Sequence, residues 1–272
     1  MAPVITLTTD FGLSDHYVAA IKGSILTINP GATIVDISHD APAQGIEQAA
    51  FLLSCAYPHF PTGSIHVAVV DPRVGTDRLP LALVTEDGVF IGPDNGILSA
   101  ALSDDVRAAA SGGLQPISLP EGALAFLLSE SRFQRDQVSD TFHARDVFAP
   151  VAAHVSIGVD PSDLGPRVED LTALPPFAAE IGGDGALHGR VIHIDRFGNI
   201  ITTARGSQLP SAAVQVEIGT KVIDRLTRTY ANCAGLSALV GSSGFLEIAL
   251  SGGNAANEVG ARLGDPIVVR RA

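Results

Sequence analysis

Residues 4–28 read VITLTTDFGLSDHYVAAIKGSILTI. The segment opens β-rich and breaks at Asp10-Phe11-Gly12. Tyr17, Ile21, Ile25 and Ile28 then recur at a spacing near 3.6, which predicts a helix. Ser14 stands where an N-cap belongs, and Pro30-Gly31 stops the pattern. Residues 33–37 (TIVDI) read as the next strand, and Gly45 to Ala56 as the next helix, ending before Pro58. Residues 64–70 (SIHVAVV) form an apolar strand that runs into Asp71-Pro72. Residues 81–85 and 89–92 look like a hairpin around Asp87-Gly88. Gly96 to Leu102 reads as a further helix. Strands alternating with helices imply an α/β domain with a mostly parallel, doubly covered sheet. Ligands of such sheets bind beyond the carboxyl ends of the strands, where Asp10 and Asp71 both fall.

The texture changes after His154. Residues 158–177 carry Pro161, Pro166, Pro175 and Pro176 without strong periodicity and read as a linker. Short strands follow at roughly even spacing: 189–194 (GRVIHI), 213–218 (AVQVEI), 246–250 (LEIAL) and 266–270 (PIVVR). They predict a smaller all-β, barrel-like domain. The expected boundaries are 1–160 for the α/β domain, 161–184 for the linker and 185–272 for the barrel.

Composition narrows the function classes. Of 272 residues, 46% are hydrophobic, enough for a large core, and the formal net charge is −12. An acidic chain is a poor general nucleic-acid binder, which needs a basic stripe. It weakly favours cationic small molecules. The two cysteines, Cys55 and Cys233, lie far apart and form no metal-binding spacing, so no metal is expected. No stretch reads as a membrane span or a signal peptide, and a cytoplasmic setting is the simple expectation.

Four clusters are more polar than a plain core requires: Thr9 to Asp15, Asp71 to Arg78, Asp140 to Asp146, and Asp195 to Asn199. Each has a structural reading. Asp10 before Gly12 reads equally as a turn, Asp71-Pro72 as a turn start, and His143 as a satisfied histidine. Asp195 to Asn199 reads equally as a β-turn. Their joint placement near strand ends is the functional hint, and it names no reaction.

Six blocks in order do more: TTDFGLSD (8–15), VVDPRVGTDR (69–78), GPDNGILS (92–99), TFHARDVFAP (141–150), DRFGNIITT (195–203) and SGFLEIALSGGNAA (243–256). With them the chain resembles the S-adenosylmethionine hydroxide adenosyltransferase family, a sister of the fluorinases and chlorinases, from Ile5 to about Val269. The resemblance implies an N-terminal α/β domain, a C-terminal β-barrel, and hydrolysis of S-adenosyl-L-methionine at ribose C5′ to adenosine and L-methionine. It implies no cofactor, and a homotrimer with sites at subunit interfaces. Asp71, Arg78 and His143 match the set of the water-using members. Asp10 matches the carboxylate that holds the ribose hydroxyls, and Asp15 and Phe142 match further contacts. Asp195 and Asn199 match groups at the methionine amino end and the adenine edge, and Phe197 and Tyr230 match adenine walls. Ser242 and Ser243 match contacts to the methionine carboxylate, and Asn254 and Ala255 match backbone that meets the adenine.

The chemistry is consistent with that assignment. The leaving group is a neutral thioether, so no general acid is needed. Water is a poor nucleophile and needs orientation and a proton acceptor. Asp71 and His143 are candidates to polarise it, and Arg78 to hold it; which of the three takes the proton stays open at this point. A carboxylate beside the incoming nucleophile disfavours halide by like charge. The alternatives are a 5′-halo-adenosine synthase, a non-catalytic adenosine or S-adenosylmethionine binder, and a metal-dependent hydrolase, for which the histidines show no suitable spacing. Two residues depart from the family pattern. Arg73 replaces a glycine and would be strained if that position needs positive φ. Ala144 also replaces a glycine, and its methyl would tighten the nucleophile pocket.

Overall fold

In the computed structural model of the chain, residues 3–210 and 214–271 are described. They divide into two units, Met1–Pro176 and Phe177–Ala272.

The first unit is built on β1 (Ile5–Thr9), β2 (Ile34–Ser38), β3 (Ser64–Val69), β4 (Pro80–Val84) and β5 (Gly88–Pro93). Parallel pairing joins β1 to β2 and β3, and β3 to β5. The hairpin partner β4 is antiparallel to β5. A short pair elsewhere is formed by β6 (Gln115–Ser118), and β7 (Leu124–Leu127) continues the sheet from β4. The sheet ends on β8 (Arg167–Val168), while β9 (Asp170–Ala173) pairs with β6. Every residue of β1 and β3 is buried, as expected of strands covered on both faces.

Helix α1 (Tyr17–Ile28) contributes Ile21 and Ile25 to one core. That core also holds Ile5, Leu7 and Val67 from the strands. Helix α2 is Ile46–Ala56, and α3 is a single turn, Asp104–Arg107. Helix α4 (Ala149–Ser156) adds Val151 and Ala152 to the core and is preceded by a π-turn, Ala144–Phe148. The helix expected from Gly96 to Leu102 is a 3-10 segment, Ile97–Ala101. Ser14 does not cap α1: Gly12 turns the chain at φ +63°, four bent residues follow, and the helix starts only at Tyr17. In the β1–β3 register Thr9 lies opposite Val69, so Asp10 and Asp71 leave adjacent carboxyl ends.

The second unit is antiparallel. Its strands are β10 (Glu180–Ile181), β11 (Leu187–Ile194), β12 (Ile200–Arg205), β13 (Val214–Ile218), β14 (Lys221–Ile223), β15 (Leu236–Val240), β16 (Phe245–Leu250) and β17 (Pro266–Arg271), with one short helix, α5 (Ala255–Val259). The order is β14-β13-β17-β11-β12-β16-β15, with β10 beside β11. Beyond β14 the chain returns to β15, where Thr227 N donates to Ala238 O and Ala238 N to Arg225 O, both at 2.8 Å. The sheet is thereby nearly closed. Strand β13 alternates buried and half-buried residues, the period-2 pattern of a barrel wall. Ala213, the first residue of the strand expected at 213–218, lies outside the described residues.

Candidate active site

In the first unit, Asp71 follows β3, Arg78 precedes β4, and His143 precedes the π-turn. The structure brings the three together. Arg78 Nε donates to Asp71 Oδ1 and Oδ2 at 3.2 and 2.9 Å, and Nη2 donates to Oδ2 at 2.6 Å. The same Nη2 lies 2.7 Å from His143 Nδ1. The side chains of Arg78 and Asp71 are 3% and 5% exposed. A guanidinium has no acceptor, so Nδ1 must be the bare nitrogen and the ring proton sits on Nε2. Burial pushes the His143 imidazole below its ordinary pKa, and the Arg78 cation adds to this against the opposing charges of Asp71, Asp146 and Asp140. His143 is therefore neutral at pH 7.

Asp71 and His143 open on a cavity of about 330 Å³ lined also by Phe11, Tyr17, Val74 and Phe142, among others, while Arg78 lies behind them. The rings of Phe11, Tyr17 and Phe142 meet one another at centroid distances of 5.2 to 5.9 Å. Helical spacing places Tyr17 in line with Ile21 and Ile25. It is 40% exposed, because α1 begins at that residue and its ring reaches into the cavity.

Local backbone explains the placement. Gly75, at φ +77°, faces the Asp140 carbonyl so closely that a Cβ would collide with it. This close approach ties the Asp71–Arg78 loop to the segment carrying His143. Arg73 is not at positive φ; it is exposed and pairs with Asp77 at 3.1 Å. Ala144 is buried in the cavity wall.

Asp146, which ends the Asp140–Asp146 polar cluster, holds the His143 segment. Its carboxylate is fully buried and accepts from Arg145 Nε and Nη2 at 2.6 and 2.7 Å, and from Ser139 N at 2.9 Å. Burial alone would raise its pKa, but the Arg145 and Ser139 hydrogen bonds and the charges of Arg145 and Arg135 hold it below the ordinary range. π-turns of this kind concentrate at functional sites.

Asp10 is half-buried. Its Oδ2 accepts from Gln44 N at 2.8 Å. Gln44 has φ +63°, the one positive φ outside glycine among the described residues. Asp15 is exposed on the bend before α1.

In the second unit, Asp195, Phe197, Asn199 and Tyr230 line one depression of about 500 Å³ with Leu250 and Gly253. Asp195 Oδ1 accepts from the backbone N–H groups of Phe197 and Asn199, and Oδ2 from the Asn199 amide at 2.9 Å. Phe197 projects outward, 76% exposed. Tyr230 donates to Glu247 Oε2 at 2.6 Å. Burial raises the Glu247 carboxyl, and the charge of Asp195 adds to that against the Tyr230 hydrogen bond. Gly198 at φ +84° packs so tightly against the Asn254 side chain that no Cβ would fit. Asn254 uses its Oδ1 to cap α5 through Asn257 N, and Ala255 is fully buried in that helix. Ser242 and Ser243 sit on the exposed turn between β15 and β16. Among the described residues, no group of three His, Cys, Asp or Glu side chains is placed to hold a metal, and no helix is long and apolar enough to cross a membrane.

Comparison with known proteins covers both units. A family profile described as the SAM hydroxide adenosyltransferase N-terminal domain matches residues 5–165, and the C-terminal domain of the same family matches 189–268. A protein of Salinispora tropica named (R)-S-adenosyl-L-methionine hydrolase is 36% identical, covering 98% of this chain and 97% of the relative. A Thermus thermophilus protein of the same name is 37% identical over 98% and 99%. A fluorinase from an Actinoplanes species is more distant, at 27% over 78% and 75%. The crystal structure of an uncharacterized conserved protein from Thermotoga maritima superposes with a TM-score of 0.85 at 30% identity, covering 98% of this chain and all of that one.

Proposed function

Since the chain belongs to the SAM hydroxide adenosyltransferase family, we propose that it hydrolyses S-adenosyl-L-methionine at ribose C5′, releasing adenosine and L-methionine. The observation that carries this reading is Arg78 bridging Asp71 and His143 on the wall of a cavity.

The water oxygen forms a bond to C5′ while the C5′–S bond breaks and its electron pair passes to sulfur. One proton leaves the water. His143, with its proton on Nε2, donates to the incoming oxygen rather than accepting from it. Asp71 Oδ1 takes a single 3.2 Å hydrogen bond from Arg78, whereas Oδ2 takes two shorter ones. Oδ1 is thus the acceptor left for the water proton. Water is far too weak an acid to ionise in advance (pKa near ~15.7), so the proton moves as the C–O bond forms and the oxygen becomes acidic. Holding the water in line supplies much of the acceleration, since effective molarity alone is worth up to about 7–11 kcal/mol.

Asp10 holds the ribose hydroxyls, with Asp15 and Phe142 as further contacts. Asp195, Phe197, Asn199, Tyr230, Ser242, Ser243, Asn254 and Ala255 form the methionine and adenine side. The reaction draws on no cofactor. The assembly we propose, on the family resemblance, is a homotrimer whose sites combine the N-terminal unit of one subunit with the C-terminal unit of its neighbour. A fully active monomer in sedimentation would overturn that assembly. The setting we propose is cytoplasmic, in keeping with a sequence that carries only two, widely separated cysteines.

The reaction is tested by turnover in ¹⁸O-water at high chloride. Adenosine carrying one ¹⁸O at its 5′ hydroxyl is expected. 5′-Chloroadenosine would establish the halide alternative, and binding without product would establish the non-catalytic one.

A further inference from the structure

Asp10 does not stand alone at the end of β1. Thr9, fully buried before it, accepts from Phe11 N at 3.3 Å, so its side chain wraps the backbone around Asp10. The Thr9 hydroxyl has one proton, and its Oγ1 lies 2.8 Å from His39 Nδ1. The oxygen accepts from Phe11 N, and its proton can be directed at His39 Nδ1 when that nitrogen is bare. His39 Nε2 lies 3.1 Å from Asp36 Oδ1, within ion-pair distance but without a well-formed hydrogen bond. Asp36 Oδ2 is in turn paired with Lys22 Nζ at 2.6 Å. Burial would raise the Asp36 carboxyl, but Lys22 and His39 outweigh it and keep Asp36 ionised. The backbone closes the same circuit, since Gly12 N donates to His39 O at 2.8 Å. Lys22 thus donates to Asp36, and His39 stands between that carboxylate and the Thr9 hydroxyl.

We propose that this Asp36–His39–Thr9 relay is a positioning device for Asp10, and that the Thr9 hydroxyl sets the aim of the carboxylate that binds the ribose. The inference rests on the role given to Asp10 above. Asp, His and a hydroxyl in sequence invite comparison with a nucleophile triad, but Thr9 is 1% exposed and meets no substrate. What it controls is the turn whose apex is Asp10. The carboxylate is held from two sides: Gln44 N fixes Oδ2, and the Thr9 turn fixes the backbone beneath it. Oδ1 is thereby left for a ribose hydroxyl. A carboxylate free to rotate would meet the paired hydroxyls in only part of its conformers, and affinity would fall by that fraction.

The test uses the full-length protein, with kcat and KM for S-adenosylmethionine, the Kd of adenosine by calorimetry, and melting temperature. Thr9→Val keeps the shape and removes the hydroxyl. It is expected to raise KM and the adenosine Kd about tenfold, the worth of one buried hydrogen bond, while kcat stays within about threefold. Thr9→Ser restores the hydroxyl and is expected to bring both constants back. A purely structural role would lower the melting temperature without splitting KM from kcat. Asp10→Asn separates the two levels of the argument. If Asp10→Asn weakens binding and a folded Thr9→Val does not, the relay is wrong and the role of Asp10 stands. If Asp10→Asn changes neither constant, both are wrong. Asp36→Asn, at the half-exposed end, gives a second reading should Thr9→Val fail to fold. About a threefold rise in the same constants is expected there, and unchanged constants count against the relay.

Discussion

Arg78 Nη2 donates to His143 Nδ1 at 2.7 Å, and this one contact decides what the histidine can do. Protonating the ring would set a second cation against the guanidinium and remove its acceptor. The His143 pKa is lowered by burial and by Arg78, so the ring stays neutral as pH falls through the ordinary histidine range. The acid limb of the kcat profile is therefore expected below pH ~6.5, the unperturbed histidine value. A profile that halves at or above 6.5 would mean that His143 titrates normally and that the contact is not maintained in the working enzyme.

Arg78→Lys keeps the charge and loses the fork. A lysine cannot meet both Asp71 oxygens and His143 with one geometry, and it leaves a buried carboxylate half-served. We expect kcat to fall by about 10²–10⁴-fold, the range for losing a positioned acid–base group. The melting temperature should fall with it, because breaking a buried pair costs about 3–5 kcal/mol. Steady-state rates and thermal denaturation check this. A lysine variant with wild-type kcat would show that only charge is needed.

Asp10 and Asp71 were legible in the sequence because both follow β-rich runs, and the ends of parallel strands are where ligands gather. His143 was legible only through the family blocks; its neighbours in sequence give no sign that Arg78, 65 positions away, would reach its Nδ1. Gln44 and His39 were not legible at all, and Asp146 only as the end of a polar cluster. Their roles depend on contacts across 34, 30 and 7 positions, made by a backbone N–H, a buried ring and a buried carboxylate, none of which leaves a periodic trace. Tyr17 shares its helical spacing with Ile21, but as the first residue of α1 it lines the cavity, which spacing alone does not reveal.

Gln44 holds a left-handed backbone so that its N–H reaches Asp10. That conformation costs a side-chain-bearing residue about 1–2 kcal/mol. Gln44→Gly keeps the N–H and relieves the strain, against an entropic cost of about 0.5–1 kcal/mol. A small gain in stability with KM unchanged is expected. Gln44→Val, β-branched at positive φ, should do the reverse, lowering the melting temperature and raising KM. Equal KM in both variants would disconnect this backbone from the substrate.

His66 is buried in β3, stacked on Phe90 at 4.7 Å and bonded to Thr6 Oγ1 at 2.8 Å. Burial lowers its pKa to about 4. A depressed histidine favours the neutral folded form, so its contribution is present above ~6.5 and is lost as pH falls toward 4. Fully expressed, the shift corresponds to about 3 kcal/mol of acid destabilisation. His66→Phe should flatten the stability profile between pH 7 and 4, at a cost near neutrality of about 1–3 kcal/mol for the stranded Thr6 hydroxyl. Chemical denaturation at a series of pH values reads both effects. An unchanged slope would assign the acid sensitivity elsewhere.

Asp146 touches nothing in the cavity, yet it anchors the segment that carries His143. Asp146→Asn preserves shape and removes the charge that Arg145 grips and that Arg135 approaches at 3.6 Å. The Ser139 N–H keeps an acceptor, so the fold should survive while the segment from Ser139 to Arg145 loosens. A misplacement of about 1 Å at a reacting group is worth up to ~10²-fold in rate. The expected result is a kcat lower by about 10–100-fold with the adenosine Kd little changed, since Asp10, the carboxylate proposed to bind the ribose, lies on a different loop. If kcat and Kd decline together, Asp146 supports the whole unit; if only kcat declines, it positions the imidazole. Adding Arg78→Lys to Asp146→Asn separates these further. Two changes acting through the same histidine should cost less together than the sum of their separate effects.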